Sequence, residues 1–70
     1  GAFNIPTKLI VYDLLGREVT KLVNRSYLPG KYSISWDSRN SQGVPIASGI
    51  YIYRLEYGHY FKSKKMVLIK

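Results

Sequence analysis

Side chains that could perform hydrolytic chemistry are few and widely separated in this chain of 70 residues. Such chemistry needs paired carboxylates, a nucleophile beside a base, or a cluster of metal ligands. Cysteine is absent, and the acidic residues and the single histidine are scattered, as Asp13, Glu18, Asp37, Glu56 and His59. Gly43 and Gly49 have Pro45 between them and form no phosphate-binding loop. We therefore predict that the protein is not an enzyme and needs no cofactor or metal.

The positions of three of these polar residues indicate turns instead. Asp13 and Asp37 each begin a stretch of turn-forming residues, where an aspartate side chain bonds the backbone two residues further on. His59 directly follows Gly58 in a two-residue turn signal. We expect the two aspartates to have structural roles and His59 to be a solvated turn residue.

The chain is strongly basic, with 11 Lys and Arg against four Asp and Glu and a net charge of +7. Such a balance suggests binding to nucleic acid or to an acidic polysaccharide. Most of the basic residues are nevertheless dispersed along the chain, and only four cluster, namely Lys62, Lys64, Lys65 and Lys70. Dispersed cations contact phosphates without a stacking surface, so we predict no specific nucleic-acid partner.

The rest of the chain is organised around residues 47–58, a run of β-branched and aromatic residues that is typical of a strand. Within it, Tyr51, Tyr53 and Leu55 share one face. They form either a stacking platform for single-stranded nucleic acid or sugar rings, or a core packed against Trp36. Because a domain of this length buries only about 60% of its unfolded surface, we predict that these aromatic residues and Trp36 are needed in the core.

Further strands are predicted from the alternation of apolar and polar residues and from the turn signals between them. They cover residues 7–12, 18–23, 31–36 and 60–69, with a short edge strand at residues 3–6 and a short segment at 44–46. The alternation is clearest at residues 31–36. A bulge is expected in the second strand, because Val19 and Leu22 are three positions apart. The predicted loops are residues 13–17, 24–30 and 37–43.

Six to seven short strands separated by turn signals predict an all-β fold, specifically a small antiparallel immunoglobulin-like β-sandwich. A five-stranded barrel of the oligonucleotide-binding type is the alternative. The whole chain, residues 1–70, is predicted to be a single domain. No apolar run approaches the roughly 18 residues of a membrane span, and residues 1–3 begin no signal peptide, so no membrane insertion is predicted.

Several short motifs occur in a fixed order along residues 3–70. They are Ile10-Val11-Tyr12-Asp13-Leu14-Leu15-Gly16-Arg17-Glu18-Val19, Leu28-Pro29-Gly30, Trp36-Asp37, Gly43-Val44-Pro45, residues 47–55 and residues 64–70. In this order and spacing the chain resembles the C-terminal sorting domain of type IX secretion cargo proteins of Bacteroidetes and their relatives. It is also similar to the immunoglobulin-like domain of the flagellar hook-capping protein. The chain ending at Lys70 favours the sorting domain.

The resemblance implies a non-catalytic module that directs a secreted parent protein through the periplasm to the cell surface. Its partner would be the secretion machinery at the outer membrane, and a sortase-like peptidase usually removes such a domain. The positions that match the family's recognition motifs are Gly30, Gly49, Tyr51, Lys64, Lys65 and Lys70. The family's first strand is longer than this one, so the first strand is expected to be clipped and one sheet edge to be open.

Two other functions follow from the same features. A sandwich with an open edge accepts or donates a strand, which would make this a self-assembling scaffold module. A carbohydrate-binding accessory module is the third class, and it requires two or more exposed, coplanar tyrosine rings. For the terminal lysines, recognition by a receptor and protection of an edge strand against aggregation are equally weighted interpretations. Gly30 and Gly49 are expected to serve backbone geometry.

Overall fold

The fold is a single open sheet of four antiparallel strands. The computed structural model describes residues 4–28 and 30–69. The strands, in the spatial order β2-β1-β3-β4, are β1 (Ile5–Tyr12), β2 (Glu18–Tyr27), β3 (Gly49–Tyr57) and β4 (Tyr60–Leu68). No helix occurs in these two ranges. The prediction of an all-β antiparallel fold is therefore confirmed, whereas the sandwich of six to seven strands is not.

Two hairpins account for two of the three strand pairings, and their turns are those that the sequence predicts. β1 and β2 are joined through Asp13 and Gly16, and β3 and β4 through Gly58, whose φ of 60° is left-handed. The expected bulge is confirmed, since the β1–β2 register shifts twice and leaves Val19 and Leu22 without a partner. β2 is longer than predicted and continues to Tyr27, which shortens the predicted loop.

The first strand also differs from the prediction. Pro6 lies inside β1, opposite Ser26, instead of ending a separate edge strand. Its missing N–H is tolerated, while its carbonyl oxygen accepts a hydrogen bond of 2.9 Å from the Gly58 N–H. β1 is therefore eight residues long and lies between β2 and β3, where it pairs with both.

Strand register assigns the side chains to two faces, because residues directly opposite each other across a ladder share a face. The inner face contains Leu9, Val11, Tyr53 and Leu55, and the outer face contains Ile10 with its cross-strand neighbours. Few apolar side chains in the described ranges are buried, namely Ile10, Val11, Val23 and Tyr51. The core is thus centred on β1 and is only one sheet thick.

Residues 31–36 do not form the strand that their alternation predicts. They belong to the crossover segment, residues 28 and 30–48, which connects β2 to β3 across the inner face. The only strand-like pairing in the described part of this segment is an isolated bridge between Arg39 and Pro45. Apolar and polar side chains do alternate in residues 31–36, but no strand lies beside this segment to form a ladder with it.

The molecule is more open than a compact domain of its size. Its accessible surface is 5411 Å², against about 4500 Å² for a folded chain of 8.1 kDa. Its radius of gyration is 13.1 Å, against about 11 Å for 70 residues. Both values are larger than expected for a compact domain. The reason is that the crossover segment covers only part of the single sheet and leaves apolar side chains in water.

Asp13 fixes the β1–β2 turn through three hydrogen bonds. Its Oδ1 accepts from the N–H groups of Leu15 and Arg17, each at 2.9 Å, and its Oδ2 accepts from the Arg17 side chain at 2.8 Å. The Arg17 N–H is the largest of the effects that lower the pKa of the Asp13 carboxyl below its ordinary value. The predicted structural role of Asp13 is confirmed.

Val11 is fully buried at the centre of the sheet, so truncating it is expected to be costly. Val11→Ala should lower the free energy of unfolding by about 2–3 kcal/mol through lost transfer energy and the cavity left behind. Val67→Ala is the matched control, because Val67 is 63% exposed and its truncation should cost less than about 0.5 kcal/mol. Urea unfolding measures both, and equal losses would contradict a core centred on β1.

Asp13 should also make stability depend on acid pH. A carboxyl with a lowered pKa stabilises the fold above its unfolded pKa of about 4 and loses this effect as the pH falls through the folded value. Asp13→Asn retains an acceptor oxygen but cannot titrate. Thermal melts between about pH 5 and pH 2 should therefore show a shallower acid decline for Asp13→Asn than for the natural sequence. If the melting temperatures of both proteins fall equally with pH, the charge of Asp13 does not stabilise the turn.

Candidate functional site

A cleft lies between the crossover segment and the inner face of the sheet. Its volume is about 430 Å³, within the usual range of ligand sites. Three strands and the crossover segment line it with apolar and aromatic side chains: Thr7, Leu9, Val23, Tyr27, Gly30, Tyr32, Ile34, Tyr53, Leu55 and Tyr57. The cleft is therefore an open part of the core rather than a polar catalytic pocket.

The crossover segment forms one wall of the cleft by placing alternate side chains on the sheet. The ring of Tyr32 lies 4.5 Å from that of Tyr27, and Ile34 lines the cleft next to it. Trp36 meets Tyr51 edge to face, with 6.1 Å between the ring centroids. This two-residue period is typical of an extended chain, so residues 31–36 have a strand's side-chain arrangement without a strand's ladder.

The main chain of residues 31–36 is unpaired within the described part of the protein. Two side chains of this segment, rather than its main chain, form hydrogen bonds within the described residues. The Tyr32 hydroxyl donates to the Leu28 carbonyl at 2.6 Å, and the Trp36 indole N–H donates to the Arg39 carbonyl at 3.0 Å. Residues 31–35 are all exposed, so water satisfies their backbone groups. A second strand laid beside them would find free donors and acceptors.

Trp36 and Tyr51 close one end of the inner face. Tyr51 is buried, as predicted, and its hydroxyl donates to the Ala47 carbonyl at 2.6 Å. Trp36 is only half-buried, so the prediction of a fully enclosed core residue is wrong in degree. The physical reason is the single layer of sheet: Trp36 has Tyr51 on one side and no second sheet behind it.

Three lysines of the terminal cluster, Lys62, Lys64 and Lys65, lie on β4, which is an edge strand paired with β3 on one side. Lys64 is opposite Tyr53 and belongs to the inner face, whereas Lys65 is opposite Ile52 and belongs to the outer face. Both are exposed. Lys70 lies outside the described residues. The structure thus separates two adjacent lysines that the sequence groups together.

The two glycines among the predicted recognition residues lie at opposite ends of the inner face. Gly49 opens β3 opposite Leu68, and Gly30 lines the cleft near Tyr32. Neither has a positive φ, and a Cβ on Gly49 would lie 3.9 Å from Tyr51 Cε2, an ordinary contact. The expectation that these two glycines serve backbone geometry is therefore wrong.

The outer face contains a basic and aromatic group that the sequence analysis did not single out. The Arg54 guanidinium lies 4.8 Å from the centroid of the Phe61 ring, and its Nη2 is 3.8 Å from Glu56 Oε1. Phe61 and Val67 are each 63% exposed on this face. The two-residue period of β4, which puts Phe61, Lys65 and Val67 together, is the sequence signal that indicates it.

The residues considered for catalysis remain apart: Asp13, Asp37 and His59 lie in separate turns or loops, Glu18 begins β2 and Glu56 lies in β3. Asp37 Oδ1 accepts a hydrogen bond of 3.2 Å from the Arg39 N–H, which confirms its turn role, and His59 is exposed in the β3–β4 turn. The search for three or more clustered metal-ligating side chains, over the described ranges, found none. Within the same ranges, no helix has the length and hydropathy needed to cross a membrane.

Comparison with known proteins gave no assignment. Searches against protein-family models, curated proteins and solved structures found no match to this chain.

The rings of Tyr27 and Tyr32, which both line the cleft, do not form a flat sugar-binding platform. Tyr27 and Tyr32 are close, but their ring planes are inclined at 58°. Sugar rings stack on coplanar, exposed aromatic faces, so this pair gives no support to the carbohydrate-binding alternative.

Glycine substitutions distinguish the turn from the predicted recognition positions. Gly58 has a φ of 60°, and a Cβ there would approach Ile5 Cγ2 to 3.3 Å, so Gly58→Ala should destabilise the fold by about 1–2 kcal/mol. Gly49→Ala should change stability by no more than about 0.5 kcal/mol, because its Cβ meets only an ordinary contact. Chemical denaturation compares the two variants. A Gly49→Ala loss as large as that of Gly58→Ala would restore a backbone role for Gly49.

Proposed function

We propose that this domain is a non-catalytic sorting module, which directs a secreted parent protein through the type IX secretion system to the cell surface. The proposal is supported first by the ordered motifs of the sequence. It assigns the domain to a location outside the cell or on its surface, reached through the periplasm, with the secretion machinery at the outer membrane as its partner. The resemblance that supports the proposal implies an immunoglobulin-like sandwich of six to seven strands for such a domain.

The structural observation that most favours this function is the position of the Lys64-Lys65 pair on an ordered edge strand. β4 is held to β3 along one side, from Tyr60 to Leu68, so its basic side chains are presented on a fixed backbone. A receptor would recognise such a strand through main-chain hydrogen bonds and charge together. Tyr51, the last residue of the Gly49-Ile50-Tyr51 motif, lies at one end of the same sheet, opposite Met66 of β4.

The matching experiment measures export in a host that has the type IX system. Residues 3–70 fused to a periplasmic reporter should reach the cell surface, and deletion of residues 64–70 should leave the reporter in the periplasm. Lys65→Ala and Lys64→Ala separate the two faces of β4, and Lys21→Ala on the opposite edge strand is the matched control.

The outcomes are distinguished by measuring stability alongside export. Each of these lysines is exposed, so each substitution should change the free energy of unfolding by less than about 0.5 kcal/mol. Loss of export in Lys65→Ala or Lys64→Ala, with a normal melting temperature and normal export of Lys21→Ala, is the result expected of recognition. If export across all three variants instead depends only on the melting temperature, the lysines of β4 protect an edge strand from aggregation and do not act in recognition.

A second function, a self-assembling scaffold module, is favoured by the open edges of the sheet. β2 and β4 each have one side without a partner strand in the described chain, and strand edges of this kind pair between molecules. Sedimentation velocity over a range of protein concentrations tests it: growth of the sedimentation coefficient with concentration favours assembly, and a constant monomer value rejects it.

A further inference from the structure

We propose that the cleft on the inner face is an acceptor site for an extended peptide strand in which apolar residues alternate with acidic ones. The cleft would accept such a strand whether or not the domain serves in sorting. The occupant would lie between residues 31–36 and the β3–β4 half of the inner face, and it would build the second layer that the four strands lack.

One side of the cleft is an extended segment, residues 31–36, whose main-chain donors and acceptors are free to pair with another strand. Residues 31–36 already place Tyr32, Ile34 and Trp36 on the sheet with a strand's period, while their main chain forms no ladder within the described residues. An incoming strand would pair with this main chain by β-augmentation. Main-chain pairing gives affinity for an extended segment and little for a helix or a compact ligand.

The floor of the cleft sets the length and the apolar period of the occupant. Tyr53, Leu55 and Tyr57 of β3 all line the cleft and are only half-buried. These three positions span about 13 Å at roughly 3.3 Å per residue, which corresponds to a strand of five to seven residues. Its alternate side chains would cover this row, and that requires apolar residues at every second position.

The rim of the cleft sets the charge of the occupant. On the inner face, Lys62 is opposite Leu55 and Lys64 is opposite Tyr53, so both lysines flank the row of residues to be covered. Among the described residues, the ion pairs are Asp13 with Arg17, Asp37 with Arg39 and Glu56 with Arg54, and none involves either lysine. Carboxylates on the incoming strand would complement these two charges.

The same charges disfavour a second copy of the chain as the occupant. Each copy has a net charge of +7 and would bring its own lysines to the interface.

The test uses the isotopically labelled full chain and a capped heptapeptide of alternating valine and glutamate with valine at both ends. Nuclear magnetic resonance titration should give saturable binding with a dissociation constant below about 1 mM. The amides of residues 31–36 should become protected from solvent exchange, and the resonances of Tyr53 and Leu55 should shift. Two control peptides have lysine in place of glutamate, or the same composition with the valines contiguous, and both should bind much more weakly.

Two variants on one strand separate the cleft from the rest of the surface. The Lys62→Ala/Lys64→Ala variant should weaken binding of the glutamate peptide by about five- to tenfold, the effect of two exposed ion pairs. Lys65→Ala removes a charge from the same strand but from the outer face, and should leave the affinity unchanged. Raising the salt concentration to about 0.5 M should reduce the difference between the two variants.

Several results would overturn the proposal. They are an absence of binding at about 1 mM peptide, equal binding of the lysine and glutamate peptides, shifts confined to the outer face or to the free edge of β2, or dimerisation of the chain through the cleft without peptide. Equal affinities of the Lys65→Ala and Lys62→Ala/Lys64→Ala variants would also reject it. Because the assay uses purified protein, its outcome is independent of any export phenotype.

Discussion

The antiparallel ladder between β1 and β3 is the interaction on which the rest of the structure depends. Each hairpin alone would be marginal in water, because an isolated pair of strands has too little apolar surface to cover. The pairing of Leu9 with Leu55 and of Val11 with Tyr53 joins them into a four-stranded sheet. This ladder joins residues 40 to 50 positions apart in sequence, from Tyr12 with Ile52 to Thr7 with Tyr57, so a long loop must close before the pairing forms.

The crossover segment shows what a small domain loses when it has one layer instead of two. In a sandwich, residues 31–36 would lie in a sheet and enclose Trp36. Here they lie on the inner face with their main chain in water, and Trp36, Tyr53 and Leu55 remain half-buried. The cleft is a consequence of this arrangement, and so is the excess surface. The arrangement that leaves apolar surface in water therefore also forms the cleft.

Charge acts on this surface in two opposite ways. The net charge of +7 opposes the pairing of open edges between copies of the chain. Lys62 and Lys64 of β4 lie beside apolar residues of the inner face, and under the proposed peptide binding they would attract acidic groups. Both effects would follow from the same distribution of charge.

The sequence by itself determined the local structure of this protein. The turn chemistry of Asp13 and Gly58, the alternation within β1, β3 and β4, and the bulge near Val19 are short-range effects, and all appear where the sequence predicts them. The face that Tyr51, Tyr53 and Leu55 share also follows directly from the two-residue period of a strand.

Only the tertiary structure decided which alternating segments became strands and which lysines share a face with the cleft. Residues 31–36 have the clearest alternation in the chain but no ladder, because they cross the inner face of the sheet and do not lie beside the free edge of β2 or β4. Lys64 and Lys65 separate because the β3–β4 register assigns them opposite faces. Alternation specifies which side of a segment is apolar. Strand pairing depends on residues far away in the sequence, and a local pattern does not indicate which residues these are.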